Sequence, residues 1–277
     1  MKKSFLAMLG LAVSLVFTGC GGGDTPAPAL ENDGAKLDAT IKVGASPVPH
    51  TEILEEIKSD LKEKNITLEI VEFNDYVQPN IALNDKELDA NFFQHEPYLN
   101  DFVKEHTEMK LKNAGGVHVE PMGIYSSKIK KLDELPFGAN VSIPNDATNG
   151  GRALLLLDKA KIITLREGVT EMATVQDIIS NNNDIHIQEI EAAQLPRTLD
   201  DVDISVINTN FAMNANLNPV NDALFMEDKT SPYVNIVAVR DGDENRPEIK
   251  TLMQTLQSEK VKNFINEKYK GAIVPAF

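Results

Sequence analysis

Tryptophan is absent from this sequence, cysteine occurs once and basic residues are few. A single cysteine cannot close a disulfide within the chain, so stability has to come from core burial. Lysine and arginine together number 27 against 42 acidic residues, which leaves a formal net charge of -15 at pH 7. Such a surface is repelled by phosphate backbones and anionic lipid head groups, so nucleic-acid binding is not expected.

The N-terminal apolar stretch covers only residues 5–17, which is too short to span a bilayer. Lys2 and Lys3 precede it, and the pattern predicts a secretory signal peptide over residues 1–19. The stretch ends in FTGC, so the lone cysteine directly follows small residues and the segment resembles the lipobox of bacterial lipoproteins. We predict cleavage before Cys20 and its lipidation, with acyl chains such as palmitate on the membrane. The alternative is a secreted protein with an incidental free thiol.

Residues 20–36 combine glycine, proline, alanine and acids without apolar periodicity. Such a composition cannot bury enough apolar surface to fold alone, so the segment is predicted to be a flexible tether. The folded body is expected to begin near Leu37 and is long enough for one or two hydrophobic cores.

Short apolar runs alternate with amphipathic stretches of helical length in the folded body. The runs predict strands over 41–46, 66–73, 88–93, 140–144, 161–165, 185–190, 204–209 and 234–239. Helical patterns cover 50–64, 150–160 and, as a pair, 247–269. Strands separated by helix-length segments indicate an α/β protein with mixed, mostly parallel sheets flanked by helices.

Two segments rich in serine, lysine, aspartate and proline divide this body, at 125–136 and at 227–233. They predict a discontinuous lobe 1 (37–125 plus 235–277) and a lobe 2 (126–234). A chain that crosses twice between lobes leaves a cleft between them, and ligands favour such interfaces.

The most aromatic stretch is DANFFQHEPYLNDF, residues 89–102, with Tyr76 a short distance before it. One interpretation is a strand that ends in the core and a helix packed on it. The other is the wall of an apolar pocket with a polar rim, which Asn91, Gln94 and His95 between the rings favour.

A second cluster, IPNDATNGGRALLLL at 143–157, places turn and cap residues and two glycines before Arg152 in the first turn of an apolar helix. Helix N-termini attract anions, glycines let a carboxylate approach the backbone, and a guanidinium adds a bidentate clamp. The alternative is an arginine paired with Asp146 or another acid. Asn208 and Asn235 lie at strand ends, where an amide offers a donor and an acceptor suited to an amino acid's charged groups.

Taken in order, FTGC, GASPVPH, ANFFQHEPYL, IPNDATNGGRALLLL, INTNFA and SPYVN resemble the methionine-binding lipoproteins of the NlpA type. The resemblance implies a two-lobed, type II periplasmic-binding-protein fold. It also implies a monomeric, lipid-anchored receptor on the extracytoplasmic face of the cell membrane, which passes methionine, as the L-form, to an ABC importer's permease and ATPase. No enzymatic activity, cofactor or bound metal is expected.

The resemblance further implies a set of ligand-binding residues: Tyr76, Phe93, His95 and Tyr98 around the thioether, and Asn149, Arg152, Asn208 and Asn235 at the charged end. Phe92 and His118 are weaker candidates, and strict alternation allows only one of the two adjacent phenylalanines to face the ligand. Two alternatives remain open: a receptor for a short methionine-containing peptide, and a zinc or manganese receptor using histidines that occur singly.

Overall fold

The computed structural model describes residues 38–277, and the predicted signal peptide, Cys20 and tether lie outside them. Within this range, two large β-sheets carry helices on their faces, and two short strands form a separate antiparallel pair. The strands are β1 (Ala39–Ala45), β2 (Ile66–Glu72), β3 (Ala90–His95), β4 (Leu111–Val119), β5 (Gly123–Tyr125), β6 (Asn140–Pro144), β7 (Thr164–Leu165), β8 (Ile178–Ser180), β9 (His186–Ile190), β10 (Ile204–Ile207), β11 (Phe225–Met226), β12 (Val234–Arg240) and β13 (Val274–Pro275). The helices are α1 (Glu52–Glu63), α2 (Gln78–Asn84), α3 (Glu96–Glu105), α4 (Ala147–Lys159), α5 (Thr209–Asn214), α6 (Pro219–Asp222), α7 (Pro247–Leu256) and α8 (Glu259–Tyr269).

Each sheet combines parallel and antiparallel pairs. The first sheet has the order β13-β4-β12-β3-β1-β2, and the second has the order β11-β5-β10-β6-β9. Pairing is parallel between β1 and its neighbours β2 and β3, and between β6 and its neighbours β9 and β10. The remaining pairs in both sheets are antiparallel. The α/β class and the mixed sheets are confirmed, and antiparallel pairing is more extensive than the sequence indicated.

The chain passes between the sheets twice. The first crossing lies between the end of β4 and the start of β5, at residues 120–122, and the second occupies residues 227–233, between β11 and β12. The second position agrees with the linker-like segment in the sequence. The first comes earlier than expected, because β5 pairs with β10 and β11 and therefore belongs to the second sheet.

Strand β3 and helix α3 explain the aromatic stretch at 89–102. Every residue of β3 is buried, because the strand is covered on both faces. Phe92 joins the core under α1, α7 and α8, whereas Phe93 joins a separate cluster with Leu99 and Tyr98. His95 ends the strand as the N-cap of α3, where its Nδ1 accepts a hydrogen bond from the backbone N–H of Tyr98 at 3.1 Å.

Helix α4 begins at Ala147, three residues before the predicted start. Asp146 is its N-cap and accepts a hydrogen bond from the backbone N–H of Asn149 at 2.9 Å. Asn149 therefore lies inside the helix, and Arg152 lies in the second turn, so its predicted place in the first turn is wrong. Gly150 and Gly151 do not form an anion cradle either, because a Cβ on them would clash with the backbone at Pro144 and at Glu171.

Two other differences have local causes. The strand predicted at 161–165 shrinks to β7, because Lys161 adopts a positive φ of 62° that ends α4 and cannot continue a strand. Strand β4 has no counterpart in the sequence prediction, because two adjacent glycines and a partly exposed middle hide its alternation. Register shifts opposite β12 disturb that pattern further. Within residues 38–277 no helix combines the length and apolarity needed to cross a membrane.

Candidate ligand pocket

A pocket lies where the two sheets meet, beside Glu120 of the first crossing. All eight of the principal residues predicted from the sequence line it: Tyr76, Phe93, His95, Tyr98, Asn149, Arg152, Asn208 and Asn235. The weaker candidates Phe92 and His118 are not among its lining residues, and both are fully buried beside it.

One end of the pocket is aromatic. The Tyr76 ring lies 5.8 Å from Phe93 and 5.7 Å from Tyr98, measured between centroids. On its other side it packs at 4.7 Å against Phe211 of α5. The Tyr76 hydroxyl donates to Asn210 Oδ1 at 2.6 Å, and the Tyr98 hydroxyl donates to the carbonyl of Tyr76 at 2.9 Å. These contacts fix the rings and join residues that follow β2 to residues that follow β10.

The amides interleaved with the aromatic residues have a structural role. Asn91 and Gln94 are buried and form a closed hydrogen-bonded cluster with Asn80 of α2, at distances of 2.8–3.0 Å. The cluster holds α2 against β3 and so fixes Tyr76, which precedes α2. Of these amides only Gln94 lines the pocket. The other two lie behind the lining residues and stabilise them through hydrogen bonds, so they do not form the polar rim inferred from the sequence.

The other end of the pocket is polar and centres on Asn149. Its Oδ1 lies 3.0 Å from His95 Nε2 and 2.8 Å from Asn208 Nδ2, so it joins β3 of the first sheet to the end of β10 in the second. Because His95 Nδ1 already accepts from Tyr98, the imidazole carries its proton on Nε2 and donates it to Asn149. Burial, reinforced by the charge of Arg152, lowers the pKa of His95 to about 3. The histidine is therefore neutral at physiological pH.

Arg152 links the pocket to both crossings. Its Nε and Nη2 donate to the Glu227 carboxylate, Nη2 donates to the backbone carbonyl of Glu120 at 2.7 Å, and the guanidinium lies 4.2 Å above the ring of Tyr233. Arg152 therefore pairs with an acid, which was the alternative that the sequence left open. The acid is Glu227 and not Asp146. The side chain is nevertheless 3% exposed and lines the pocket. The bonds that Arg152 makes to residues 38–277 use Nε and Nη2, and none of them uses Nη1.

Behind the polar end, two histidines meet one carboxylate. The Oε1 of Glu120 lies 2.8 Å from His118 Nε2 and 3.2 Å from His50 Nε2, and His50 Nε2 also lies 2.9 Å from Asn235 Oδ1. Burial lowers the pKa of His50 to about 4 and that of His118 to about 3. At neutral pH the neutral imidazole of His118 therefore donates a hydrogen bond to Glu120, whereas that of His50 donates to Asn235 and only lies close to the carboxylate. Burial also raises the pKa of Glu120, against the opposing effects of His50 and Arg152.

Because these three histidines are buried in neutral form, we expect the protein to become less stable as the pH is lowered. His50, His95 and His118 hold fewer protons in the folded state than in the unfolded state, so their stabilisation is complete above pH 6.5 and is lost as the pH drops below it. Between pH 6.5 and 5 each contributes a loss of roughly 2 kcal/mol. The raised pKa values of Glu120 and Asp146 oppose this loss.

We expect the free energy of unfolding, measured by denaturant titration at pH 7 and pH 5, to decrease less in His118→Gln than in the wild type. Ser142→Ala is the matched control, because it removes a buried hydroxyl but no titratable group, and it should lower stability equally at both pH values. An unchanged pH dependence in His118→Gln would contradict the neutral assignment.

Sequence reasoning missed three residues that line the pocket, Glu120, Thr209 and Asn210, and named Gln94 only as part of a polar rim. It also missed Glu227 and Tyr233, which hold Arg152, and His50, which contacts Glu120. One signal for Glu120 was available, since it follows His118 by two positions and alternation places both on the same side of an extended chain. For Glu227 no local signal exists, because it stands 75 residues from its partner.

The two mixed sheets and the pocket between their crossings define a periplasmic-binding-protein fold. Residues 41–277 match the NlpA lipoprotein family, and the chain belongs to that family. It is 42% identical to the methionine-binding lipoprotein MetQ of Bacillus subtilis, over 99% of both chains. It is 41% identical to the D-methionine-binding lipoprotein MetQ of Escherichia coli K12, over 98% of this chain and 97% of the relative.

Solved structures agree with these relatives. A nutrient-binding protein from Burkholderia cenocepacia, determined bound to methionine, is 46% identical. It superposes with a TM-score of 0.82 over 86% of this chain and all of that chain. The resemblance drawn from the sequence motifs and the fold class that it implied are thereby confirmed.

Proposed function

We propose that this protein captures methionine in the pocket between its two sheets and delivers it to an ABC importer. The observation that carries this proposal is the division of the pocket into an aromatic end and a polar end. A thioether placed among Tyr76, Phe93 and Tyr98 gains about 0.3–1.5 kcal/mol from sulfur–aromatic contacts beyond ordinary burial. The names of the relatives, which include methionine-binding lipoproteins, support the same ligand.

The polar end has unsatisfied groups that suit a free amino acid. Arg152 keeps Nη1 for a carboxylate, and Asn208 Oδ1 is buried without a hydrogen-bond partner among residues 38–277. Asn235 uses its Oδ1 toward His50, which leaves its amide N–H groups as donors. A buried orphan acceptor costs stability until a donor reaches it, and an ammonium group supplies one.

Transport requires that the pocket open and close. We propose that the two sheets are the cores of two lobes, hinged at residues 120–122 and 227–233, which close around the ligand and present a joint surface to a permease driven by its ATPase. Contacts such as His95 to Asn149 and Tyr76 to Asn210 connect the two sides in the closed state. We further propose that the protein works as a monomer, anchored through lipid on Cys20 at the extracytoplasmic face of the membrane.

The identity of the ligand is tested by mass spectrometry of small molecules released when the purified protein is denatured. We expect methionine, and calorimetry with the emptied protein should show L-methionine binding about 2- to 12-fold more tightly than norleucine, which has the same length but no sulfur. D-methionine and methionyl dipeptides are the competing ligands. Stronger binding of a dipeptide, or release of a different compound, would contradict the assignment.

A further inference from the structure

Glu120 occupies an unusual electrostatic position in the pocket. Among the described lining residues it is the one acid, and its side chain is 6% exposed. It stands at the start of the first crossing, directly after β4. A carboxylate buried this far is stable only when it is neutralised or well hydrogen-bonded.

Residues 38–277 offer this carboxylate hydrogen bonds, from His118 and from the backbone N–H of Asn210, but no dedicated positive charge. His118 and His50 approach Oε1 through Nε2, and both face acceptors there, so each carries its proton on Nε2 and is neutral. In keeping with this tautomer, Nδ1 of both rings has no hydrogen-bond partner among residues 38–277. Arg152 reaches only the backbone carbonyl of Glu120, since its guanidinium is shared with the Glu227 carboxylate.

The pocket therefore keeps one carboxyl group without a cation of its own among residues 38–277. Arg152 and Glu227 neutralise each other, while burial raises the pKa of Glu120, so a cation placed beside it favours its ionised form. Its position and orientation are fixed, because His118 packs edge-on against Phe92 at 5.4 Å and His50 packs against the same ring at 4.7 Å. A cation entering the pocket thus meets a carboxyl group already held in place.

We propose that Glu120 binds the α-ammonium group of the ligand, with His50 and His118 as positioning residues that hold its carboxylate toward the pocket. This assignment rests on the proposed function and adds a chemical requirement to it: the ligand must carry a free primary ammonium group. Desamino and N-acylated methionine analogues are excluded, and a peptide could enter only with methionine at its N-terminus.

The same three residues could instead hold a metal ion. Ligand atoms from His50, His118 and Glu120 all lie within 4.8 Å of one another, and imidazole and carboxylate are zinc ligands. The ammonium assignment is favoured because Glu120 lines the pocket while His118 lies behind it. A metal ion bound by all three residues would coordinate the Glu120 carboxylate, which would then not be free to bind the ligand's ammonium group. Metal content is therefore one outcome of the test.

The test compares two ligands on two proteins. L-methionine and 4-(methylthio)butanoate, which lacks only the amino group, are titrated by calorimetry into the wild type and Glu120→Gln. We expect the variant to lose at least about 30-fold in methionine affinity. Its affinity for the desamino compound should stay the same or rise, because a neutral amide no longer repels a net anion. Glu105→Gln, at the exposed end of α3, is the control for the change in net charge and should leave both affinities unchanged.

Three further variants separate charge from structure. Glu120→Asp keeps the carboxylate and should keep the preference for methionine over the desamino compound, even with weaker binding of both. His118→Gln keeps a side-chain donor and should retain more of that preference than His118→Ala. If Glu120→Gln weakens both ligands by the same factor, or if Glu120→Asp loses the preference as Glu120→Gln does, Glu120 has only a structural role and the assignment is overturned.

The remaining outcomes are also decisive. One equivalent of metal in the wild type that is lost in Glu120→Gln, together with methionine binding that a chelator changes, would replace the ammonium site with a metal site. A wild type that binds neither compound refutes the proposed function and this assignment together. A wild type that binds methionine and the desamino compound equally refutes the assignment alone.

Discussion

Replacing Arg152 with alanine is expected to lower methionine affinity by about 30-fold or more while the protein remains folded. Truncating one partner of a buried, hydrogen-bonded charge pair costs roughly 2–5 kcal/mol. In this variant the ligand carboxylate loses its clamp. The fold should survive because Glu227, the partner left behind, has a side chain that is 16% exposed and can be hydrated. Calorimetry measures the affinity, and circular dichroism checks that the fold is kept.

Lys159→Ala is the matched control for this result. Lys159 lies two turns further along α4, is half exposed and pairs with Asp228, the neighbour of Glu227. The control removes one cation from the same helix and one ion pair with the same crossing, without touching the pocket. Unchanged affinity in Arg152→Ala, or an equal loss in Lys159→Ala, would remove the guanidinium from the proposed site.

Replacing Asn235 with alanine is the second large effect that we expect, a loss of about 5- to 150-fold in methionine affinity. Asn235 is a buried residue near the start of β12, at the point where the chain returns from the second sheet. Its Oδ1 faces His50 at 2.9 Å, so its amide N–H groups remain for the ligand. The substitution removes these donors and takes from His50 one of its two acceptors.

Asn113→Ala controls for the loss of an asparagine in this sheet. Asn113 lies on the neighbouring strand β4 and accepts a hydrogen bond from the backbone N–H of Gly115 at 2.7 Å, away from the pocket. The control should reduce stability but leave calorimetric affinity as in the wild type. Wild-type affinity in Asn235→Ala would show that this amide serves β12 and His50 but not the ligand.

The sequence prediction succeeded best where several weak signals agreed. The aromatic stretch, the polar residues before α4 and the asparagines near strand ends are each ordinary core or turn features when taken alone. Their order along the chain matched a known family, and the structure brings Phe93, Asn149, Asn208 and Asn235 to one pocket. Two kinds of strand were predicted correctly: β12, whose centre is buried on both faces and reads as an apolar run, and β2, whose first residues alternate between buried and exposed.

For small and amide residues, the prediction failed because their neighbours come from other elements of the fold. Gly150 and Gly151 look like an anion cradle in the sequence, but the space a side chain would need is taken by backbone at Pro144 and Glu171. Asn91 looks like part of a polar rim, but it bonds to Asn80 of another helix. Small and amide residues fit many environments, so their role is set by the neighbour that the fold supplies.

By itself the sequence determined many of the elements, the family and most of the residues that gather at the pocket, because these depend on apolar periodicity and on motifs short enough to read locally. The tertiary structure alone decided how charge is distributed there. Glu227 neutralises Arg152 from 75 residues away, and His50 and His118 hold Glu120 without neutralising it. Electrostatic interactions act through space and depend on burial, so no local pattern along the chain records them.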